Sequence, residues 1–232
     1  MALKLIVDTD PGIDDAMAIF YAIAAPEIDL LGLTTVFGNV TTPKATRNAL
    51  YLLEQAGIEI PVAEGMHRPR MLLPLQPSSA VHGGEGLGTL DVPISQRHAL
   101  VETAPEYLVR MARAHQGELL LCPIGPLTNI AAAMELDPSF CGNLKGMVIM
   151  GGSLRAGGNI TSASEANFYH DPHAADYVLR YGCNITLVGL DVTNRVICSR
   201  SFFDGLASES RKMGGLLRDM ADYYIDFYET VG

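Results

Sequence analysis

The chain has 232 residues, of which 48% are apolar and 18% charged, a composition typical of a globular protein rather than a disordered one. That length can bury a sizeable core, and one domain spanning residues 1–232 is the simplest expectation. The formal net charge of −10 disfavours nucleic acid and anionic membrane surfaces as partners.

The cysteines and the N-terminus bear on the cellular compartment. The four cysteines form no C-x-x-C pair, and Cys122 and Cys183 lie in or beside apolar stretches, which predicts buried free thiols in a reducing compartment. The N-terminus leads almost directly into a strand without a signal-peptide pattern, and no apolar run approaches membrane-spanning length. These features predict a cytoplasmic protein.

The first strand–helix corner concentrates acidic residues. Leu5-Ile6-Val7 predicts a buried strand, Pro11-Gly12 breaks it, and apolar residues return at helical spacing from Ile13. Four carboxylates surround this break, at Asp8, Asp10, Asp14 and Asp15. Open α/β sheets bind ligands at the carboxyl ends of their strands, so this corner is a candidate site. Four like charges packed there repel one another unless a cation shares them.

Two interpretations of this corner stand side by side. In the structural one, Asp10 is a helix N-cap with Pro11 at the first helical position, and acids favour the helix N-terminus. That explains one or two acids but hardly four, so a hard-cation site is favoured. An EF-hand loop is excluded because, counted from Asp8, its invariant glycine position holds Ile13.

The rest of the chain alternates strands and helices. Further strands are predicted over residues 30–36, 60–63, 119–124, 147–150 and 185–190. Intervening helices are predicted from Thr42-Pro43, over 104–114 and over 127–134, and Leu216, Met220 and Phe227 indicate a final amphipathic helix. The alternation predicts an α/β fold with a doubly wound, mostly parallel sheet and helices on both faces.

Two irregular stretches hold polar candidates. Residues 65–98 are rich in proline and glycine, and His82 is the residue of interest in this long segment. Residues 157–169 hold Asn159, Glu165 and Asn167, which are either ordinary loop residues or groups that hydrogen-bond sugar hydroxyls. Asp171 precedes a proline in the pattern of a helix cap, so it is assigned a structural role.

Several motifs together resemble one known family. The sequence VDTDPGIDDAMAI around Asp10 resembles the signature of the nucleoside hydrolases, the inosine/uridine-preferring N-ribohydrolases. Further motifs similar to that family follow in order: FGN at 37–39, HGGEGLG at 82–88, GPLTN at 125–129, GGS at 151–153 and GNIT…EANFYHDP over 158–172. The resemblance implies a nucleoside hydrolase-like, Rossmann-like fold and calcium-dependent hydrolysis of ribonucleosides to ribose and free base.

The resemblance also implies residue roles. Asp10 is expected to bind Ca²⁺ and to take a proton from the attacking water, with Asp15 and the backbone carbonyl of Thr128 as further calcium ligands. The residues expected to contact substrate are Asp14, Asn39, His82, Asn159, Glu165 and Asn167. Asp8 is expected to support these residues from behind. The implied partner is a small-molecule ribonucleoside, and the implied assembly is a homo-oligomer, a dimer or a tetramer.

Three departures from the family pattern qualify this reading. Ala166 stands where the family usually has phenylalanine, which could loosen the apolar floor beneath the ribose. The chain has no tryptophan, so it cannot stack a base between indoles as the purine-specific branch does, and a broad or pyrimidine/inosine preference is expected. After the helix that Tyr223–Tyr228 resembles, the family carries a His-Asp pair that completes the calcium shell and assists the leaving base, and none follows here.

The third departure generates its own expectations. With Asp10, Asp15 and one carbonyl, protein ligands fall short of the roughly six to eight oxygens that Ca²⁺ prefers. We therefore expect the chain end to lie close to the aspartate pocket, and the 232-residue chain to bind calcium weakly and to hydrolyse nucleosides poorly. The alternative functions are a nucleoside- or sugar-binding protein that keeps the pocket with little turnover, and a structural subunit that uses calcium as a staple.

Overall fold

A computed structural model describes residues 2–182 and 184–231 of the chain. Its strands are β1 (Leu3–Thr9), β2 (Ile28–Thr35), β3 (Val62–Glu64), β4 (Leu120–Pro123), β5 (Gly146–Met150) and β6 (Ile185–Val188). Its helices are α1 (Ile13–Ala24), α2 (Thr42–Ala56), α3 (Ser79–His82), α4 (Ala104–Ala114), α5 (Thr128–Leu136), α6 (Phe140–Asn143), α7 (Ala166–His170), α8 (Pro172–Tyr181), α9 (Leu190–Thr193), α10 (Arg200–Glu209) and α11 (Met213–Val231).

The six strands form one sheet in the order β3-β2-β1-β4-β5-β6, and every neighbouring pair is parallel. The chain builds outward from β1 to β3 and then returns to add β4 on the other side of β1. This confirms the predicted doubly wound α/β fold. The point where the order reverses, between β1 and β4, is where such sheets leave a crevice for ligands.

Helices cover both faces of the sheet. One apolar layer joins Ile6 of β1 to buried residues of α4, α5 and α8. The other joins Leu5 and Val7 to buried residues of α1, α2 and α11. Because successive side chains of a strand point to opposite faces, β1 contributes to both layers, as its continuous apolar run predicts.

Most predicted elements are confirmed, with shifted ends. The helix predicted over 104–114 matches α4 residue for residue, and Asp171 caps α8 by accepting a hydrogen bond from the Ala174 amide. The strand predicted over 185–190 ends at Val188, because the chain turns there into α9. Helix α10 was missed altogether. Cys122 is a partly buried thiol, and Cys183 lies outside the described residues.

Helix α1 begins where helical spacing was expected to return, at Ile13, and the structural alternative for the corner is wrong. Asp10 is not the N-cap of α1, and Pro11 is not its first residue; the helix begins at Ile13 with Gly12 as N-cap. The Asp15 carboxylate accepts a hydrogen bond from the Gly12 amide at 3.0 Å, so the capping carboxylate lies inside the helix instead of before it. Within residues 2–182 and 184–231, no helix is long and apolar enough to cross a membrane.

A β-bulge in β2 sets the register between the two strands that bear polar side chains. Leu5 of β1 pairs with Leu30, whereas Ile6 pairs with Gly32, so Leu31 is the extra residue. The phenol of Tyr107, which is buried on α4, donates to the Leu31 carbonyl at 2.9 Å. Gly32 makes room for this phenol, because a Cβ there would lie 2.3 Å from the Tyr107 hydroxyl.

Removing the Tyr107 hydroxyl should therefore destabilise the fold. In Tyr107→Phe the partly buried Leu31 carbonyl loses that donor, and we expect the free energy of unfolding to fall by about 1–3 kcal/mol. Urea denaturation measures this, with Tyr21→Phe as the control because Tyr21 is 67% exposed. Equal midpoints for the two variants would contradict the assigned role of the bulge contact.

Candidate active site

The acidic corner lies at the switch point of the sheet. Asp10 follows the end of β1, and Gly125 follows the end of the neighbouring strand β4. We call residues 10–15 the aspartate turn. Because the strands are parallel, the turns after β1, β2 and β4 all meet at this edge of the sheet.

Asp10 is buried between two glycines. A Cβ at Gly38 would lie 2.0 Å from Asp10 Oδ2, and one at Gly125 would lie 2.6 Å from Asp10 Oδ1, so any side chain at either position would displace this carboxylate. The Asn39 backbone amide donates to Oδ2 at 2.6 Å. Oδ1 is buried and has no hydrogen-bond partner among the described residues. Asp10 therefore presents one unused oxygen in a protected position.

Asp15 is the second buried carboxylate of the turn. Its Oδ1 accepts from the Thr9 hydroxyl at 2.5 Å, and its Oδ2 accepts from the Gly12 amide and from Asn39 Nδ2, each at 3.0 Å. Asn39 thus donates to both Asp10 and Asp15, one through its backbone and one through its side chain. The structure brings these three predicted site residues together.

The electrostatics of the pair follow from burial. Removal from water is the largest cause that raises the pKa of Asp10 well above its usual value, and the nearby Asp15 charge raises it further. Burial raises the pKa of Asp15 to about 6, with the Asp14 charge as the next cause. A cation shared by Asp10 and Asp15 would relieve both costs.

Asp8 lies in β1, two residues before Asp10, and two side chains bond it. Its Oδ1 accepts from the Thr34 hydroxyl at 2.5 Å and from Asn129 Nδ2 at 2.8 Å. The carboxyl is fully buried, and burial raises its pKa to about 7. The Asn129 side chain also bonds the Thr35 carbonyl and the Met66 amide, so it ties α5 to the ends of β2 and β3.

Thr128 is held by a hydrogen bond to Asp171. The residue is fully buried at the start of α5, and its hydroxyl donates to Asp171 Oδ2 at 2.8 Å. The same oxygen of Asp171 accepts from the Arg70 amide. The preceding His170 bonds the Ala166 carbonyl through Nδ1. The His170-Asp171 pair is therefore occupied with helix capping and packing.

His82 lies against the aspartate turn. Its Nδ1 accepts from the Ile13 amide at 3.3 Å, and a Cβ at Gly12 would lie 2.6 Å from the same nitrogen. Burial lowers the pKa of His82 to about 4, so the ring is neutral at pH 7 and carries its proton on Nε2. The exposed carboxylate of Asp14 comes within 3.8 Å of Nδ1.

Helix α11 borders this part of the site. The ring centroids of Tyr224 and His82 are 5.6 Å apart. The expected position of the chain end near the pocket cannot be read at Gly232, which lies outside the described residues. The helix that leads to it does pass beside His82.

The polar residues of the later loop are arranged differently from the prediction. Glu165 is buried and caps α7, with its carboxylate accepting from the Gly152, Asn167 and Phe168 amides. Asn167 lies in α7, not in a loop, and its Nδ2 donates to the Ile124 carbonyl at 2.9 Å. Asn159 is exposed and accepts from the Ala166 amide. All three therefore shape this loop around the ends of β4 and β5.

The donor chemistry of the aspartate turn fits a hard, oxygen-binding cation. The unused Oδ1 of Asp10 and the adjacent buried Asp15 supply two carboxylates that repel each other without one. Within the part of the chain that the structure describes, no three His, Cys, Asp or Glu side chains converge as a metal-binding group. A cation here would draw on these two carboxylates together with neutral oxygens.

Sequence reasoning missed the residues that support the site. Thr9, Thr34 and Asn129 bond the aspartates, yet hydroxyl and amide residues at strand and helix ends are too common to single out. Asp171 was assigned only a capping role, although it also fixes Thr128.

Comparison with known proteins places this geometry in a family. The family model described as inosine-uridine preferring nucleoside hydrolase matches residues 5–232. A relative from Arabidopsis thaliana named probable uridine nucleosidase 2 is 47% identical over 229 residues, which are 98% of this chain and 71% of that protein.

Two solved structures show the same fold. A plant nucleoside hydrolase, PpNRh1, superposes with a TM-score of 0.95 at 41% identity, covering 99% of this chain and 73% of that one. A purine-preferring ribonucleoside hydrolase from Gardnerella vaginalis also reaches 0.95, at 36% identity, covering 99% of this chain and 74% of that one. With the fold, the aspartate turn and these similarities in agreement, the chain belongs to the inosine-uridine preferring nucleoside hydrolase family.

Proposed function

We propose that this chain hydrolyses the N-glycosidic bond of ribonucleosides with the help of Ca²⁺ bound at the aspartate turn. The observation that carries the proposal is the buried Asp10 carboxylate, whose Oδ1 is unused and whose neighbour Asp15 is buried beside it. Family membership supports the reaction class. The oxygen donors of the site suit a hard divalent cation, and the choice of calcium among such cations rests on the resemblance to the nucleoside hydrolases.

The reaction replaces one bond to the sugar with another. Water forms a bond to C1′ of the ribose while the C1′–N bond breaks, and the transition state resembles an oxocarbenium ion. The Asp10 carboxylate takes the proton that the water loses. The departing base keeps the bonding electron pair and gains a proton from solvent, and Asp10 then returns its proton to solvent. The position of Asp10 suits this role because its Oδ1 is buried and has no other hydrogen-bond partner among the described residues.

The surrounding residues would hold the substrate and the cation. Asp10, Asp15 and the Thr128 carbonyl would hold Ca²⁺, which when bound polarises water and orients ribose hydroxyls. The exposed Asp14 would accept hydrogen bonds from ribose hydroxyls, and His82, whose Nδ1 accepts from the Ile13 amide, would donate its Nε2–H to the substrate. Asn39 keeps the two carboxylates in register. On the family resemblance we assign the remaining sugar contacts to Asn159, Glu165 and Asn167, in addition to the hydrogen bonds by which they shape their own segment.

The proposal extends to substrate range and context. A broad or pyrimidine/inosine preference is proposed because the chain lacks tryptophan. The similar proteins named above include both a uridine nucleosidase and a purine-preferring enzyme, so a panel of nucleosides is the right test. Three further features remain predictions: a single domain, a cytoplasmic location, and a homo-oligomer that is a dimer or tetramer. Localisation tests the second, and light scattering tests the third.

Calcium removal is the first test. Exhaustive chelation should abolish ribose release from uridine and inosine and lower the melting temperature, because Asp10 and Asp15 then repel each other unscreened. Activity should return with added Ca²⁺. Full turnover in metal-free protein would remove calcium from the proposal. Nucleoside binding without ribose release, even with Ca²⁺, would instead assign a nucleoside-binding protein.

The general base can be tested with a shape-preserving change. Asp10→Asn should lower kcat by about 10²–10⁴-fold, the usual range for loss of general-base catalysis, and by more if cation binding also weakens. Asp29→Asn is the control, because Asp29 is exposed near the amino end of β2, at the opposite edge of the sheet. If the Asp10 variant stays within about threefold of the parent, the base lies elsewhere.

The glycine beside Asp10 offers an independent test of geometry. Gly125→Ala places a methyl group 2.6 Å from the present position of Asp10 Oδ1, so the carboxylate must move. We expect ribose release to fall by about 10²-fold, as for a displacement of about 1 Å at a reacting group. Gly142→Ala is the control and should retain activity, because there is open space around that position. Gly117→Ala is unsuitable because Gly117 has a positive φ.

A further inference from the structure

A buried amide joins the aspartate turn to a second motif. Asn48 lies on α2 and is fully buried. Its Nδ2 donates to the Pro11 carbonyl at 3.1 Å and to the Glu85 carbonyl at 2.8 Å. Pro11 belongs to the aspartate turn, and Glu85 belongs to residues 82–88, which we call the His82 loop. One side-chain nitrogen therefore binds both segments at once.

The orientation of this amide is fixed by its other end. Asn48 Oδ1 accepts from Nε and NH2 of Arg47, at 3.3 and 2.9 Å. Because a guanidinium can only donate, the oxygen must face Arg47 and the nitrogen must face the two carbonyls. The two donor hydrogens of Asn48 are thus committed to Pro11 and Glu85.

The outer side of the His82 loop is held by ion pairs. Arg47 NH1 contacts Glu85 Oε2 at 2.5 Å, and Lys44 Nζ contacts Glu85 Oε1 at 3.0 Å. The Glu85 side chain is 42% exposed, and ion pairs at such positions contribute little to stability. The buried amide of Asn48, and not this exposed cluster, is the contact that reaches the aspartate turn.

Steric contacts leave the loop little freedom at this point. Gly86 has a φ of +90°, and a Cβ there would lie 2.8 Å from Asn48 Nδ2 and 3.1 Å from the Pro11 carbonyl oxygen. The His82 carbonyl accepts from the Gly88 amide at 2.8 Å, which closes the loop on itself. A displacement at Glu85 or Gly86 is therefore transmitted to His82.

We propose that Asn48 is a positioning residue that fixes His82 relative to the aspartate turn. By holding the Pro11 and Glu85 carbonyls together, it keeps His82 Nδ1 in reach of the Ile13 amide and leaves Nε2–H for the substrate. The inference rests on the proposed hydrolysis of nucleosides for its kinetic consequence. Its structural consequence, the seating of His82 on Ile13, does not depend on that activity.

Two variants separate the donor role from simple packing. Asn48→Ala removes the amide, whereas Asn48→Asp keeps its shape and its acceptor for Arg47 but has no N–H to donate. We expect both to lower kcat/KM for uridine by about tenfold to a hundredfold, because a misplacement of about 1 Å has effects of this size. Asn48→Asp also carries the test if Asn48→Ala fails to fold. Parent-like kcat/KM in a folded Asn48→Asp would overturn the proposal.

The matched control removes an asparagine side chain elsewhere. Asn143 lies in α6, just before β5 and so at the amino-terminal edge of the sheet, where its Nδ2 donates to Ser139 Oγ at 3.3 Å. Asn143→Ala should keep parent kcat/KM. A loss equal to that of the Asn48 variants would show that general destabilisation explains both.

A double-mutant cycle identifies the residue through which Asn48 acts. If Asn48 works through His82, then Asn48→Ala should cost much less in a His82→Ala background than in the parent chain. Additive losses in kcat/KM would overturn that route. A purely structural role for Asn48 predicts additivity, so the cycle distinguishes positioning from stability.

Hydrogen exchange gives a readout that needs no turnover. The Ile13 amide should exchange faster in Asn48→Ala and Asn48→Asp, while the Ala131 amide, which donates to the Leu127 carbonyl in α5, should not change. If the parent chain releases no ribose from any nucleoside, the proposed function fails, and exchange at Ile13 still decides the role of Asn48. Unchanged exchange at Ile13 in both variants would overturn the proposal.

Discussion

The burial of two carboxylates in one corner is the constraint around which this structure is arranged. Asp10 and Asp15 are both removed from water, which raises their pKa values. The Asp15 charge raises the pKa of Asp10 further, and a neighbouring charge does the same for Asp15. Their surroundings offset part of this cost with directed donors: the Thr9 hydroxyl, the Gly12 amide and both donors of Asn39. What remains is the unused Oδ1 of Asp10, and the proposed chemistry depends on it.

The fold supplies these donors from segments far apart in the chain. The doubly wound sheet brings the ends of β1, β2 and β4 to one edge, and glycines at 38 and 125 leave space there for Asp10. Helix α5 begins at the same edge, where Asn129 bonds Asp8 and Thr128 bonds Asp171. The site is therefore built by the ends of regular elements, which are more rigid than free loops.

Sequence patterns predict the architecture better than they predict the individual contacts of the site. The apolar run before Asp8 and the strand–helix alternation predict the parallel sheet, and the aspartates at the end of β1 indicate the site. Asp10 and Pro11 have the residue types of a helix cap, so the sequence leaves a structural alternative open there that the structure excludes. The burial of Asp10 and the hydrogen bond from the Gly12 amide to Asp15 depend on tertiary packing, which no local pattern shows. The same holds for Glu165, whose carboxylate accepts from two amides of α7 and from the Gly152 amide after β5. Helix α10 escaped prediction because only Phe203 among its residues is buried, so its apolar pattern is weak.

The bulge at Leu31 has a consequence for how the gene can change. Leu30 and Leu33 both pack in the layer of α1 and α2 although they are three residues apart, which a regular strand with a two-residue alternation does not allow. The extra residue inverts the second half of β2, so that Thr34 pairs with Asp8 and its hydroxyl reaches the carboxylate. An insertion or deletion of one codon there would turn Leu33 out of its layer and Thr34 away from Asp8. The number of residues in β2 therefore matters to the aspartate corner as much as their identity does.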